Sequence, residues 1–461
     1  MKNNNQDSRY LLFAVLATSI AAPIMLHGVN VALPTIANEL AMNAIQLSWV
    51  TQSFSLALVV CTLPLGRLAD IVGRKKIYSI GLSLFAVSTF FSALSTSALM
   101  LISLRIVQGI SLAMVWGNAN ALLSAAYPHS ERGKVLGWNV AVFFLGMSLG
   151  PTIGGILTQN LGWRSIFFLG LILQIPALAL LFTKVRGEWA EAKGERYDIA
   201  GSLLFGITLF FLMYGFSMLP SSEGLWLISA GIVGLIVTVI WELRVDNPTF
   251  NIYLLIHNRL FAFSGLSQLL FQSAVYPIAF ILSLYLQFIG GLSPQDAGFI
   301  LLVQPIIQAI FSSFTGKLSD KIQPRILTSI GLAITLFGIL LLFIATEGTA
   351  LLPFIVCQVL IGFGISLFSS PNANAIMSSV ESRYFGVASA IQATSRDVGV
   401  TFGMSILMIL FSLFMGTAQI TPEYYGAFVE SIRTALVIFA IICFCCIFVS
   451  ATRGKIIRPQ L

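Results

Sequence analysis

The sequence predicts an all-α membrane protein with fourteen transmembrane helices, and three observations carry this prediction. Hydrophobic residues make up 57% of the 461-residue chain and charged residues only 9%, whereas a soluble domain carries about 25% charged residues. The apolar residues form long uninterrupted runs, and a helix needs about 20 such residues to cross a bilayer. Lys and Arg residues gather in every second loop between these runs, which is typical of the cytoplasmic loops of a multi-pass protein.

The apolar runs are long and continuous, which favours helices over the strands of a barrel, because barrel strands have about ten residues of alternating pattern. The fourteen runs lie at about 10–34, 45–66, 77–97, 99–126, 135–159, 164–183, 199–219, 225–243, 259–290, 296–316, 325–345, 350–379, 386–416 and 430–451.

The basic residues predict the orientation. If the N-terminus is cytoplasmic, 21 of the 25 Lys and Arg residues fall on the cytoplasmic side. Of the other four, Arg164 and Arg433 begin spans at the outer side, and Arg105 and Arg396 lie within spans. One missed span would reverse the side of every later loop, so the bias also supports the span count. We expect a cell-membrane protein with both termini in the cytoplasm.

The sequence favours transport over enzymatic chemistry. The five cysteines fall within apolar runs, without the spacing of a disulfide framework or a zinc site. No G-x-x-x-x-G-K-[ST] phosphate loop and no G-x-S-x-G elbow occurs. The net charge of +7 is spread over small clusters. We therefore expect no cofactor, no metal and no nucleic-acid partner. The polar N-terminus leads directly into the first long apolar run, with no small-residue cleavage site behind a short apolar region, so we expect that span to be retained.

An internal repeat predicts two similar bundles. The segment GRLADIVGRKK at 66–76 is echoed by GKLSDKIQPR at 316–325, an offset of 250 residues. Parallel repeats of this kind are typical of transporters. The predicted domains are an N-terminal six-helix bundle at 1–183, a cytoplasmic connector at 184–198, an extra transmembrane hairpin at 199–243 and a C-terminal six-helix bundle at 244–461.

Two glycine-containing motifs are candidates for gating. In 66–76, a glycine can let two helices approach closely, while an aspartate can bind a helix N-terminus and pair with an arginine. In 146–155, small residues at four-residue spacing permit close packing, and a proline removes one helical hydrogen bond. The alternatives are that the cations only fix topology and that the glycines form an ordinary packing face. The gating set is Gly66, Arg67, Asp70, Gly73, Arg74, Gly146, Gly150, Pro151, Gly154, Gly155 and, in the echo, Asp320.

These motifs resemble signatures of the major facilitator superfamily. The segment 66–76 resembles its loop between the second and third spans, and 105–109 (RIVQG) resembles its arginine motif. The segment 146–155, followed by 162–168 (GWRSIFF), resembles the antiporter signature of drug exporters, and 30–37 (NVALPTIA) that of the fourteen-span drug:proton antiporters. The resemblance covers nearly the whole chain. It implies the major facilitator fold, alternating access and an arginine linked to proton transfer.

The sequence departs from the antiporter pattern in the first span. The family commonly carries an acid five positions before Asn30, where this chain has Met25. A buried cation nearby disfavours a second positive charge on His27, the only titratable group close by. We therefore expect a structural His27 bonded to a backbone or hydroxyl group, and a coupling role is the alternative. We therefore expect weak or absent proton coupling through this span. The coupling candidates are His27, Arg105, Gln108, Arg396 and Asp397, and for Arg105 the alternative is a buried structural hub.

Polar and aromatic side chains within apolar spans are candidates for substrate contact, although each alone is more often a contact between helices. They contain few carboxylates, which favours neutral, anionic or weakly cationic amphiphiles as substrates. The leading hypothesis is an ion-driven exporter, and the alternatives are an uncoupled or import-direction carrier of an endogenous metabolite or lipid, and a membrane enzyme or receptor. The candidates are Trp116, Asn118, Asn120, Asn139, Phe143, Gln268, Gln272, Tyr276, Gln304, Gln308, Phe363, Asn372 and Asn374.

Overall fold

The structure, a computed structural model, describes residues 2–190, 192, 194, 197–219, 221–244, 258–319, 321–345, 350–380 and 385–454. This part of the chain forms fourteen α-helices and one short 3-10 turn at Pro422–Tyr424. The helices are α1 (Lys2–Glu39), α2 (Ala44–Val72), α3 (Arg74–Ala93), α4 (Ala98–Ala126), α5 (His129–Leu161), α6 (Arg164–Thr183), α7 (Ile199–Ser217), α8 (Ser222–Glu242), α9 (Arg259–Phe288), α10 (Pro294–Ser319), α11 (Pro324–Ala345), α12 (Leu352–Ser378), α13 (Phe385–Met415) and α14 (Tyr425–Thr452).

The all-α, fourteen-helix prediction is confirmed. Within the described ranges, fourteen helices are long and apolar enough to cross a membrane. Several helices extend beyond the apolar runs, because a helix satisfies its own backbone groups and continues until a cap or a turn ends it. The second helix, for example, continues six residues past the predicted end of its run and contains the first part of the 66–76 motif.

Polar residues cap several helix starts. Asn43 accepts a hydrogen bond from the backbone of Gln46 at 2.8 Å, and the Gln46 side chain accepts one from the Asn43 backbone at 3.2 Å. This reciprocal pair is a capping box. Ser97 and Asn258 cap α4 and α9 in the simpler way, with one side-chain acceptor each. Short polar residues between apolar runs therefore set where these helices begin.

The chain divides into two compact units. One comprises Met1–Phe210 and Leu292–Phe299, and the other comprises Phe211–Gly291 and Ile300–Leu461. In the first unit, α1 packs on α5 and α6, and α3 packs on α4 and α6. In the second unit, α9 packs on α13 and α14, and α11 packs on α12 and α14. The order of helix pairs is the same in both, as the internal repeat predicts. The division into bundles, connector and hairpin stays a prediction.

Candidate gating, coupling and substrate sites

The 66–76 motif forms a junction of two helices rather than a loop. Its first seven residues are the end of α2, and Gly73 alone separates α2 from α3. Gly73 has a φ of +128°, which side chains with a Cβ rarely adopt. A Cβ there would also lie 2.6 Å from the carboxyl carbon of Glu188. Glycine is therefore required at this position by both the backbone conformation and the space.

The predicted pair of Asp70 and Arg74 is confirmed. Nε of Arg74 lies 2.7 Å from Oδ1 of Asp70, and the arginine side chain is 8% exposed. A second guanidinium nitrogen lies 3.3 Å from the carbonyl oxygen of Ala121 in α4. The pair thus connects the α2–α3 junction to a third helix of the first unit.

The connector following α6 also binds this junction. The backbone N–H of Arg74 donates to the carbonyl of Trp189 at 2.8 Å. The carboxylate of Glu188 accepts from the backbone N–H of Lys75 at 2.9 Å. A carboxylate at the first turn of α3 also interacts favourably with the helix dipole. The sequence analysis identified the connector only as a polar linker.

Three further residues of the predicted gating set are Gly66, Asp320 and Arg67, and their outcomes differ. Within the described part of the chain, nothing lies within 4 Å of the place where a Cβ of Gly66 would be. The expected close approach of two helices at Gly66 is therefore absent from this structure. The predicted counterpart Asp320 lies outside the described residues. Arg67 has interactions of its own and is not free.

The 146–155 glycines form the contact between α5 and α1. A Cβ at Gly150 would lie 2.7 Å from the Cβ of His27, and one at Gly154 would lie 2.3 Å from the Cα of Gly28. Gly146 faces α1 one turn earlier, with a backbone oxygen 2.6 Å from its Cβ position. The predicted packing at four-residue spacing is confirmed, because any larger side chain would separate the two backbones.

Two further members of this motif face the start of α10, which belongs to the same unit. A Cβ at Gly155 would lie 2.4 Å from the carbonyl oxygen of Pro294. The carbonyl oxygen of Pro151 lies 2.5 Å from the Cβ position of Gly298. The 146–155 motif therefore packs on two sides, against α1 and against the start of α10. An ordinary glycine packing face contacts only one helix.

Arg105 points into the first unit, as the cost of exposing it to lipid predicts. It is 1% exposed. Its Nε donates to the carbonyl of Val50 at 2.9 Å, another nitrogen donates to Oε1 of Gln108 at 2.9 Å, and its guanidinium lies 4.7 Å from the ring centre of Phe54. The amide nitrogen of Gln108 donates in turn to Thr89 at 3.3 Å. The charge is met here by a carbonyl, an amide and an aromatic face.

Met25 lies at the far end of this chain of contacts. Its sulfur is 3.9 Å from the hydroxyl oxygen of Thr89, the residue that binds Gln108. Met25, where the antiporter family commonly carries an acid, is therefore linked to Arg105 through Thr89 and Gln108. His27, two residues on, makes no hydrogen bond with a described residue. The bond to a backbone or hydroxyl group expected of a structural histidine is thus absent, and the contact seen is the packing of its Cβ.

Arg396 and Asp397 in α13 form an ion pair, with Nε 2.8 Å from Oδ1. Adjacent helical residues point in different directions, but the length of the arginine side chain allows it to reach back. The aspartate side chain is 13% exposed and the arginine 41%. The carboxylate is therefore compensated by a cation that itself reaches the surface of the unit.

A buried hub that the sequence pattern does not reveal forms at Arg453, which the pattern marks only as one of the basic residues on the predicted cytoplasmic side. Arg453 is 1% exposed. It donates to Asn372 and Thr328, both at 2.7 Å, from two guanidinium nitrogens. Asn372 also donates to the carbonyl of Ser264 at 3.2 Å. The hub joins α9, α11 and α12 to the end of α14.

A second missed feature joins the end of α1 to the start of α6. Glu39 accepts a hydrogen bond from the indole of Trp163 at 2.7 Å and forms an ion pair with Arg164. Arg164 also donates to the carbonyl of Ser95 at 3.0 Å. Trp163 and Arg164 of the 162–168 segment thus bind the end of α1 to the start of α6. This contact lies at the end of the first unit opposite to the end that carries Asp70. Glu39 follows an apolar run in the sequence, and only its nearness to the start of α6 distinguishes it.

Two candidate substrate residues hold helices together, and a third bonds within its own helix. Asn372 belongs to the Arg453 hub, and its side chain is fully buried. Asn139 accepts from Ser19 at 2.6 Å and donates to Asn120 at 3.0 Å. Asn118 is 1% exposed and donates to a carbonyl of its own helix. Asn372 and Asn139 therefore form contacts between helices in this structure.

Other candidates keep polar groups without partners. The indole N–H of Trp116 is buried and unpaired among the described residues, and its ring packs edge-on against Phe143 with centroids 5.4 Å apart. Gln272, Gln304 and Gln308 are half-buried in the second unit, and their side chains make no hydrogen bond with a described residue. Tyr276 is also half-buried, and it has an interaction of its own.

The fold and these sites define a multi-pass membrane transporter. The model of the Major Facilitator Superfamily matches residues 11–290 and 261–456. The chain belongs to the major facilitator superfamily, and its fourteen candidate spans and its relatives fit the fourteen-span drug:proton antiporter family.

The chain is similar to several named transporters. It is 27% identical to the riboflavin transporter RibZ of Clostridioides difficile, over 90% of this chain and 91% of that protein. It is 31% identical to the multidrug resistance protein Stp of Mycobacterium tuberculosis, over 82% and 71%. It is 29% identical to the cephamycin export protein CmcT of Amycolatopsis lactamdurans, over 87% and 85%.

Solved structures share the fold. A bacterial homologue of the human lysosomal transporter Spinster superposes with a TM-score of 0.68 over 97% of both chains, at 17% sequence identity. A peptide transporter in complex with sulfate superposes with a TM-score of 0.69, at 14% identity.

Proposed function

We propose that this protein exports amphipathic small molecules across the cell membrane by alternating access, driven by an ion gradient, with both termini in the cytoplasm. The observation that carries the proposal is the set of unpaired polar groups on apolar helices. The indole of Trp116 and the amides of Gln272, Gln304 and Gln308 have no partner among the described residues. Such groups in a mostly apolar setting are typical of sites that bind small molecules.

The chemistry of this set favours a class of substrate. An indole donates one hydrogen bond, and an amide both donates and accepts, but neither carries a charge. No carboxylate belongs to the set, so a neutral, anionic or weakly cationic amphiphile fits better than a dication. The names of two relatives, a multidrug resistance protein and a cephamycin export protein, support the same class.

The gate in this proposal consists of the Asp70–Arg74 pair and the glycine contact of α5 with α1. The ion pair holds the α2–α3 junction in one state and breaks in the other. The Arg105–Gln108 network and the Arg396–Asp397 pair are the sites through which an ion gradient acts. Arg105 is always charged, so its part is to bias the charge of neighbouring groups.

The second candidate function is an uncoupled or import-direction carrier of an endogenous metabolite or lipid. Met25 favours it, because the first span lacks the acid that the antiporter pattern carries. The name of the riboflavin transporter relative supports it as well.

Transport in proteoliposomes tests both candidates, with ethidium and riboflavin as probes and with a pH or sodium gradient imposed or omitted. If the probe accumulates against its own concentration gradient when a pH or sodium gradient is imposed, the result supports the ion-driven exporter. If the probe only equilibrates, with or without either ion gradient, the result supports the uncoupled carrier. In the double variant Gln304→Leu/Gln308→Leu we expect KM to rise about ten-fold, which corresponds to about 1.4 kcal/mol.

The matched control is Gln287→Leu, which removes a half-buried glutamine whose amide already donates to Ser283 at 3.2 Å. We expect its KM to stay within about two-fold of the parent, a difference below about 0.5 kcal/mol. Equal changes in KM for the control and the double variant would count against the proposed substrate contacts.

A further inference from the structure

A groove of about 620 Å³ lies on the first unit beside the α2–α3 junction, and none of the gating or coupling candidates lines it. One face of α3 forms most of its wall, and the end of α6 and the connector complete it. None of the candidate substrate residues lines it. The groove belongs to a surface with large exposed apolar side chains, as expected of a face that meets lipid.

One end of the groove is charged. Lys75, Lys76 and Glu188 line it there, so the lining carries one net positive charge. The ammonium of Lys75 bonds to the carbonyl of Val185. The carboxylate of Glu188 accepts from the backbone N–H groups of Lys75 and Trp189, at 2.9 and 3.1 Å. Lys76 is exposed and makes no ion pair with a described residue, so its charge is available to a ligand.

The other end is apolar. Ile80, Leu84 and Val87 follow Lys76 along the same face of α3, and Phe182 of α6 lies opposite. Ile80 is 46% exposed, Val87 54% and Phe182 66%. At 1.5 Å per residue, Val87 lies about 16 Å along the helix from Lys76, about half of the 30 Å hydrocarbon core. The groove therefore has the length of one leaflet.

A polar atom without a partner lies between the two ends. Ser79 lines the groove and is 5% exposed, and its hydroxyl makes no hydrogen bond with a described residue. A buried hydroxyl without a partner destabilises the fold. A rotation of the Ser79 side chain toward the groove would let oxygen atoms of a ligand's headgroup or ester region accept its hydrogen bond.

We propose that this groove binds an anionic phospholipid of the leaflet that contains Lys76. The phosphate lies at the ammonium of Lys76, and an acyl chain follows Ile80, Leu84 and Val87 beside Phe182. A cation at the membrane surface attracts anionic headgroups, and the apolar wall matches the acyl chain in length. A soluble anion would use only the charged end.

Native mass spectrometry of the full-length protein in detergent tests the proposal, with phosphatidylglycerol and phosphatidylcholine as probes. We expect retention of phosphatidylglycerol at concentrations where phosphatidylcholine is lost. Lys76→Glu should weaken phosphatidylglycerol binding about five-fold or more, the effect of about one basic residue near an anionic surface. The control is Lys317→Glu, at an exposed lysine in the last turn of α10, and it should leave binding unchanged.

A second variant, Ser83→Trp, fills the groove without changing its charge and keeps the test valid if Lys76→Glu does not fold. It should also weaken phosphatidylglycerol binding. Equal weakening by the Lys76 and Lys317 variants would show a general charge effect and overturn the proposal. Displacement of the lipid by glycerol 3-phosphate at the lipid's own concentration would show that only the headgroup binds, and would overturn it as well.

Discussion

Arg105 shows how neutral groups can surround a buried charge inside a bundle, because a carbonyl, an amide and an aromatic ring contact its guanidinium. Insertion of an arginine at the centre of a membrane helix costs about 2.5–3.5 kcal/mol, and a hydrogen bond to a charged group contributes about 1.5–3 kcal/mol. The bonds to Val50 and Gln108 are therefore of the size needed to offset that cost. Because these bonds already offset the cost of burying the charge, any influence of Arg105 on proton transfer acts through the residues linked to it by Gln108, namely Thr89 and Met25.

Met25→Glu should restore a proton-binding group to the first span. The sulfur of Met25 lies 3.9 Å from Thr89, which accepts a bond from Gln108, so a carboxylate there would be connected to the Arg105 network. We expect the ratio of transport with a pH gradient to transport without one to rise in proteoliposomes. Met25→Gln, which has the same shape and cannot take up a proton, should leave the ratio unchanged. Identical ratios in the two variants would disprove the connection.

His27→Ala should retain most transport. The imidazole makes no hydrogen bond with a described residue, and the contact with Gly150 is made by the Cβ, which alanine keeps. The measurement is pH-gradient-driven transport compared with downhill exchange in the same liposomes, and Asp397→Asn serves as the parallel variant. If His27→Ala loses only the gradient-driven part, the histidine has taken over the role of the missing carboxylate.

At the scale of helices, the contact of α5 with α1 is the most demanding packing in the first unit. Gly154→Ala would place a Cβ 2.3 Å from the Cα of Gly28, so the helices must separate. We expect the free energy of unfolding to fall by about 1–3 kcal/mol, the usual cost of overpacking, together with a loss of transport.

Gly137→Ala is the matched control in the same helix, because nothing described lies within 4 Å of its Cβ position. It should keep transport and raise stability by up to about 1 kcal/mol through helix propensity. Thermal unfolding in detergent measures both changes. An equal loss of stability in the two variants would mean that the close packing of the two helices has no energetic consequence.

The α2–α3 junction predicts a change in rate without a change in affinity. Asp70→Asn removes the ion pair with Arg74, but the arginine keeps its bond to the carbonyl of Ala121, so we expect the fold to survive. Turnover should fall while substrate affinity stays within about three-fold, a difference of about 0.6 kcal/mol. Transport rates and equilibrium binding of the same probe separate the two quantities. Abolished affinity in a folded variant would place Asp70 in the substrate site.

Local patterns in the sequence predicted the elements better than the contacts between them. Helix count and the glycine contact follow from spacing, and the burial of Arg105 follows from the cost of exposing a charge to lipid. The Glu39–Arg164 pair and the Arg453 hub join residues more than 80 positions apart, and no local pattern encodes them. Asn372 was assigned to the substrate because a polar residue in an apolar helix has the same sequence signature whether it meets a ligand or another helix.

At the scale of the whole molecule, the two units repeat one order of helix packing. The parallel repeat of 66–76 and 316–325 predicts this order, because segments that correspond under a parallel repeat take corresponding places in each bundle. The 66–76 segment connects two helices and binds the connector, so the corresponding segment of the second half is expected to connect α10 and α11.

The arrangement of charges predicts the topology, and topology is the property on which the direction of transport depends. An even number of spans puts both termini on one side, and the bias of basic residues predicts that this side is the cytoplasm. In a variant without the five native cysteines, Lys184→Cys should react with an impermeant maleimide only after cells are opened. Thr96→Cys, in the short turn between α3 and α4 on the other side, should react in intact cells. A cysteine appended to the C-terminus should behave like Lys184→Cys. Labelling of the appended cysteine in intact cells would mean an odd number of spans, and labelling of Lys184→Cys there would reverse the orientation and the proposed direction of export.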